Sequence, residues 1–163
     1  MYKILAIDPG NATTKVGFFI GKKPVYLETI RYELRDLNSF KNVIDQLDFR
    51  LNSINKWIIK NKIDLSEVDF FIGRGGYLKQ LKSGLYEINA KMINDLKEAR
   101  YGEHSSNLGA IIANMFGSKY GKKSFILDPI SVDELDPVAR VSGHPLLERK
   151  SIFHALNQKR MAR

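Results

Sequence analysis

Five short motifs in this chain carry side chains suited to handling an anion. The first, Asp8-Pro9-Gly10-Asn11-Ala12-Thr13-Thr14-Lys15, lies between two apolar runs. Its residues favour a tight turn. Backbone N–H groups there, with the Thr13 and Thr14 hydroxyls and the Lys15 ammonium, can cradle phosphate oxygens. Asp8 can hold Mg²⁺ through water. The same residues also suit an ordinary hairpin with Asp8 capping its turn, and no GxxxxGK[ST] loop occurs. The second motif is Gly73-Arg74-Gly75-Gly76. Glycines let the backbone approach a ligand, and only Arg74 projects a long charged group. A guanidinium can clamp a carboxylate or phosphate with two parallel hydrogen bonds; a solvated arginine in a turn is the alternative. In the third, His104, Ser106 and Asn107 precede a helical run whose N-terminus favours an anion, although helix capping alone accounts for Ser106 or Asn107. The fourth is Asp128-Pro129 after an apolar strand, at a strand carboxyl end where open α/β sheets collect ligands; it also reads as a plain turn. The fifth is His154, which the local pattern makes a half-buried helix histidine.

The elements that must position these groups follow from periodicity and punctuation. Ile4–Ile7 is a short apolar run and Lys15–Ile20 a second, so the first motif joins two strands. After the Gly21–Pro24 turn, Val25–Tyr32 is a third strand. A long amphipathic helix is predicted over Ser39–Lys60, with Phe40, Val43, Ile44, Leu47, Leu51, Ile54 and Ile58 on one face. Val68–Ile72 is a strand running into the glycine motif, and Leu85–Ile88 a short one. Asn89 caps a helix from Ala90 to about Ala99, and another covers Leu108–Tyr120. Ser124–Leu127 is a buried strand, and a last helix begins near Ser151. Three antiparallel strands, a helix, then further strands and helices make an α/β domain. Asp133, Glu134 and Asp136 read as solvated or structural.

The 163 residues suffice for one domain with a core, and 44% hydrophobic with 27% charged residues is a globular balance. A net charge of +8 favours anionic partners such as nucleotides or acyl phosphates. No RNA-recognition or zinc-finger signature accompanies the basic charge, so nucleic acid is not an expected partner. No apolar run is long enough for a bilayer, and no signal segment precedes the first strand. The chain has no cysteine, which excludes disulfides, thiol nucleophiles and cysteine-based zinc sites. A cytoplasmic location fits.

The quoted motifs together resemble the acetokinase family of the sugar-kinase and actin-like ATPase superfamily, most closely its butyrate-kinase branch. IDPGNATTKVGFF resembles that superfamily's first phosphate-binding hairpin. FIGRGG, GEHSSNLGAIIA, LDPISVDELDPVARVSGHP and RKSIFHALNQK resemble later family segments, so the likeness runs from Lys3 to about Lys159. It implies a ribonuclease-H-like, actin-like ATPase domain over residues 1–148, with 149–163 starting an interdomain helix. It implies phosphoryl transfer between ATP and a short-chain carboxylate, butyrate plus ATP giving butyryl phosphate plus ADP, with ATP/ADP and Mg²⁺ as cofactors. By the same resemblance Arg74 clamps the carboxylate and the moving phosphoryl group, and His154 stabilises that group. Asp128 positions the acid substrate or a Mg²⁺-bound water, and His104 and Asn107 line the substrate cleft. Gly10, Asn11, Thr13, Thr14 and Lys15 hold phosphate beside Asp8.

Two residues depart from the family pattern, Asp8 for asparagine and Asn11 for serine. Family members are also longer, and their second phosphate loop, adenosine pocket and further catalytic arginine have no counterpart in this sequence. The expectation is therefore weak or no activity for this chain alone. A C-terminal kinase half or self-association is the expected partner, with apolar surface exposed near the last helix. A non-catalytic acyl-phosphate-binding module, or another small-molecule kinase of the superfamily, is the alternative.

Overall fold

The computed structural model describes residues 1–152 and 154–162, without the Arg160 side chain. Six strands form one sheet in the order β3-β2-β1-β4-β6-β5. They are β1 (Lys3–Pro9), β2 (Thr13–Ile20), β3 (Lys23–Arg31), β4 (Phe70–Arg74), β5 (Leu85–Glu87) and β6 (Lys123–Leu127). The first three run antiparallel, whereas β4 and β6 continue parallel to β1 and β5 returns antiparallel at the edge. The expected mixed sheet is therefore present.

Alternation along the strands creates two different faces. Leu5, Ile7, Val16, Phe18, Phe71 and Ile126 are buried on one of them. They pack with α2 (Leu47–Lys60) and α4 (Asn107–Tyr120) into the main core. On the other face Ile4, Ala6, Asp8, Ile72, Arg74 and Leu127 are half-buried, as period-two geometry requires. The shorter helices are α1 (Leu34–Leu37), α3 (Ala90–Lys97) and α5 (Ala155–Met161).

Several boundaries differ from the sequence expectation. The single helix over Ser39–Lys60 is instead a 3-10 turn over Val43–Gln46 followed by α2. The Asp45 carboxylate accepts the Asn42 N–H at 2.9 Å and stops the helix from starting earlier. The first hairpin is tighter than predicted, because pairing continues to Pro9 opposite Thr14. The last helix starts after His154 rather than near Ser151. β4 begins later than Val68 because Asp69 closes the strand start, its carboxylate accepting the Lys3 N–H at 2.7 Å.

Close helix–sheet approach fixes the strand ends. A Cβ on Gly73 of β4 would lie 2.2 Å from the Gly109 carbonyl oxygen of α4. Only glycine permits that contact. α4 ends at Gly121, whose φ of 64° lets Lys122 N–H reach back to the Gly117 carbonyl at 2.8 Å. Leu146, Ile152 and Met161, near the chain end, are exposed. No helix among the described residues is long and apolar enough to cross a membrane.

Candidate active site

β1 and β4 run parallel, so Asp8 and Arg74 emerge together at their C-terminal ends. Arg74 Nη1 donates to Asp8 Oδ1 at 3.2 Å, and Arg74 Nη2 donates to His154 Nδ1 at 2.8 Å. A guanidinium can only donate, so His154 Nδ1 is the acceptor in this contact. Arg74 Nε is buried without a hydrogen-bond partner among the described residues. A buried N–H left open is costly, and here it leaves a spare donor beside the Asp8 and His154 contacts. Lys15, opposite Asp8 in the β1–β2 register, is exposed and has no ion-pair partner among the described residues. Asp8, Lys15, Arg74, Ile72, Leu127 and Leu156 help to line a cavity of about 210 Å³ with largely apolar walls.

Three of the sequence-predicted residues thus meet at one place: Asp8, Arg74 and His154. His104 lies near them, close enough for the Arg74 charge to act on it. Burial first, then that charge, holds its pKa below the usual histidine range. Its Nδ1 accepts the Ser106 N–H at 3.2 Å, leaving Nε2 as the protonated nitrogen. Gly10 and Thr13 close the hairpin turn, with Gly10 N–H donating to the Thr13 carbonyl at 2.7 Å. Asn11 projects from the turn, and its side-chain oxygen accepts the Ser105 hydroxyl at 3.3 Å.

Three residues sit differently from their expected roles. Thr14 is fully buried on the helix side of β2, and its hydroxyl meets Arg50 and Tyr32 rather than the hairpin mouth. Asn107, 3% exposed, does not face the cleft. Its side chain ties the glycine motif to α4 by accepting Tyr77 N–H at 2.8 Å and donating to the Gly102 carbonyl at 3.0 Å. Asp128 is buried with a left-handed φ of 39°. Its two oxygens accept Gly84 N–H at 2.7 Å and Lys159 Nζ at 2.6 Å. It therefore joins β6 to the β5 turn and α5. Asp133, expected to be solvated or structural, is structural: Arg140 makes a two-pronged contact at 2.9 Å to each oxygen. That contact, with further N–H donors, holds its pKa down at about 2.

Sequence reasoning missed Arg50. It is fully buried on α2 and grips the back of the hairpin turn. The signal was present: Arg50 occupies a position between Leu47 and Ile54 on the face otherwise filled by apolar residues.

For Mg²⁺, no group of three His, Asp or Glu that could hold a metal occurs among the described residues. Among the described residues lining the cleft, Asp8 alone offers a half-exposed carboxylate. That fits a Mg²⁺ held mainly by phosphate oxygens and water, which needs only one or two carboxylates.

The mixed sheet, backed by helices and carrying its polar cluster at the strand ends, is the architecture of acetate-kinase and actin-like ATPase domains. Among solved structures, acetate kinase from Porphyromonas gingivalis superposes with a TM-score of 0.61 at 11% identity, over 98% of this chain and 47% of that one. No family model matches the chain. Butyrate kinase 2 of Clostridium acetobutylicum is 44% identical over 99% of this chain. A probable butyrate kinase of Coprothermobacter proteolyticus is 45% identical over the same share. Over its whole length, the chain is homologous to the N-terminal half of the butyrate kinases. It spans about 46% of the length of these relatives.

Proposed function

We propose that this chain is the acid-binding half of a phosphotransferase that moves a phosphoryl group between ATP and a short-chain carboxylate, butyrate being the first candidate. The observation that carries this reading is the convergence of Asp8, Arg74 and His154 beside Lys15. Phosphoryl transfer asks little covalent chemistry of a protein; it needs positioning and charge stabilisation. Arg74 is the clamp. Its Nε, buried and without a partner among the described residues, and the Nη2 now on His154 are the donors proposed for a carboxylate or phosphoryl oxygen. His154 shares that contact and offers its other ring nitrogen, Nε2, as a donor. Lys15 and the hairpin N–H groups receive further phosphate oxygens. The apolar cavity beside Arg74 suits a short acyl chain. Mg²⁺, bound with ATP and reached by Asp8 through water, would neutralise phosphate charge. The adenosine site and full activity belong to the remainder of the fold, and a C-terminal kinase half is the proposed partner.

A second reading, a module that binds acyl phosphate without transferring it, draws on Asp128. Both of its oxygens are occupied by Gly84 and Lys159, which leaves it little freedom to act on a substrate. Calorimetric titration with butyryl phosphate tests the common ground. Wild type is expected to bind and Arg74→Ala to bind at least tenfold more weakly. Equal affinity in the two proteins contradicts the assignment of Arg74.

A further inference from the structure

We infer that Arg50 is the positioning residue of the phosphate hairpin, a role that rests on the proposed phosphate reading of that turn. Every N–H of its guanidinium group is used. Nη1 donates to the carbonyls of Gly10 and Thr13 at 2.9 and 3.0 Å and to the Thr14 hydroxyl at 3.1 Å. Nη2 donates to the Asn11 carbonyl at 2.9 Å. Nε and Nη2 are anchored on the Gln46 side-chain oxygen at 3.0 and 2.9 Å. The Tyr32 ring lies against the guanidinium, 4.9 Å away. The remaining turn carbonyl, that of Ala12, accepts Tyr32 N–H at 3.0 Å.

The consequence concerns the opposite side of the same peptides. Each peptide unit is planar, with its C=O and N–H pointing in opposite directions. Carbonyls drawn back onto Arg50 send the following N–H groups outward. The N–H groups of Asn11 and Ala12 have no partner among the described residues. Successive unpaired N–H groups in a turn form an anion-binding concavity. A lysine could supply charge at this position but not the planar fork that reaches three carbonyls at once. Arg50 therefore sets the turn's shape, touching no substrate, while its buried charge raises the local positive potential.

The test follows the backbone amide resonances of the 163-residue chain during titration with inorganic pyrophosphate. In wild type the Asn11 and Ala12 amides are expected to shift on binding. In Arg50→Lys, which keeps the charge and loses the fork, affinity is expected to fall tenfold or more. The free-state Asn11 and Ala12 resonances should move while those of β4 and α4 stay in place. Gln46→Leu removes only the outer anchor and is expected to weaken binding about threefold; it decides the matter if Arg50→Lys does not fold. Wild type that leaves Asn11 and Ala12 unshifted overturns the phosphate reading and the role of Arg50 with it. Wild-type shifts at those amides, with unchanged affinity in folded Arg50→Lys or in Gln46→Leu, overturn the Arg50 role alone.

Discussion

Arg50 and Arg74 mark two regions on either side of the first hairpin, and they differ in how complete their hydrogen bonding is. Arg50 lies behind the turn, fully buried, with every donor engaged by carbonyls, a hydroxyl and Gln46. Arg74 lies in front, at the end of β4, with Nε unpartnered and its other donors on a carboxylate and a histidine. The same side chain thus serves two purposes. Saturated and buried, it builds a rigid turn; with one donor unpartnered among the described residues and the side chain lining a cavity, it is the group proposed to meet a ligand. Removing the first should damage the fold, and removing the second should damage binding.

The contrast sharpens most in stability. Arg50→Met is expected to cost at least about 3 kcal/mol in denaturant unfolding, because each buried acceptor left without a donor costs about 1–3 kcal/mol. A loss below about 1 kcal/mol would place Arg50 in a looser environment than its contacts describe. Gly73→Ala comes next, at about 1–3 kcal/mol for forcing a methyl into a packed contact. The obstacle, the Gly109 carbonyl, belongs to a helix backbone and cannot rotate away. Arg74→Ala removes only a partly exposed ion pair and should alter stability by less than about 1 kcal/mol.

The smallest effect lies away from both arginines, at Asp133. Its carboxyl sits at about 2 in the folded chain against an ordinary 3.8. Well above pH 4 the group is ionised whether the chain is folded or not, and the Arg140 contact contributes fully. Between pH 4 and 2 the unfolded chain takes up a proton that the folded chain refuses, so that contribution fades. Melting temperatures across this range should fall less steeply in Asp133→Asn than in wild type. Parallel curves would show that Asp133 has no part in acid sensitivity.

The sequence made Arg74 legible because glycines isolate it and apolar residues lead into it. The hairpin was legible for the same reason: Gly10 and Asn11 interrupt two strand-like runs. Arg50 was passed over although its position on the apolar face is visible, since helical periodicity describes a face by its apolar members and not by a charge embedded among them. Nor could local pattern show that Thr14 points inward. That follows from the strand register, which the tightness of the turn shifts. The engagement of Asp128 by Lys159 and the burial of Asn107 against Gly76 are contacts between distant segments, set by tertiary packing. The succession of elements was readable in outline, while the sheet order and the antiparallel return of β5 were not.

Arg74 is proposed to serve a carboxyl-phosphorylating site completed by a second half. Hydroxylamine trapping of acyl phosphate formed from butyrate, ATP and Mg²⁺ tests it most directly. The chain would be assayed alone and with the C-terminal half of a butyrate kinase relative supplied separately. The account predicts little or no product from the chain alone and product on addition. Arg74→Ala should then lower turnover about 10²–10³-fold, the range for losing one charge-stabilising donor. Full activity of the complemented Arg74→Ala chain, or none from complemented, folded wild type, would contradict it.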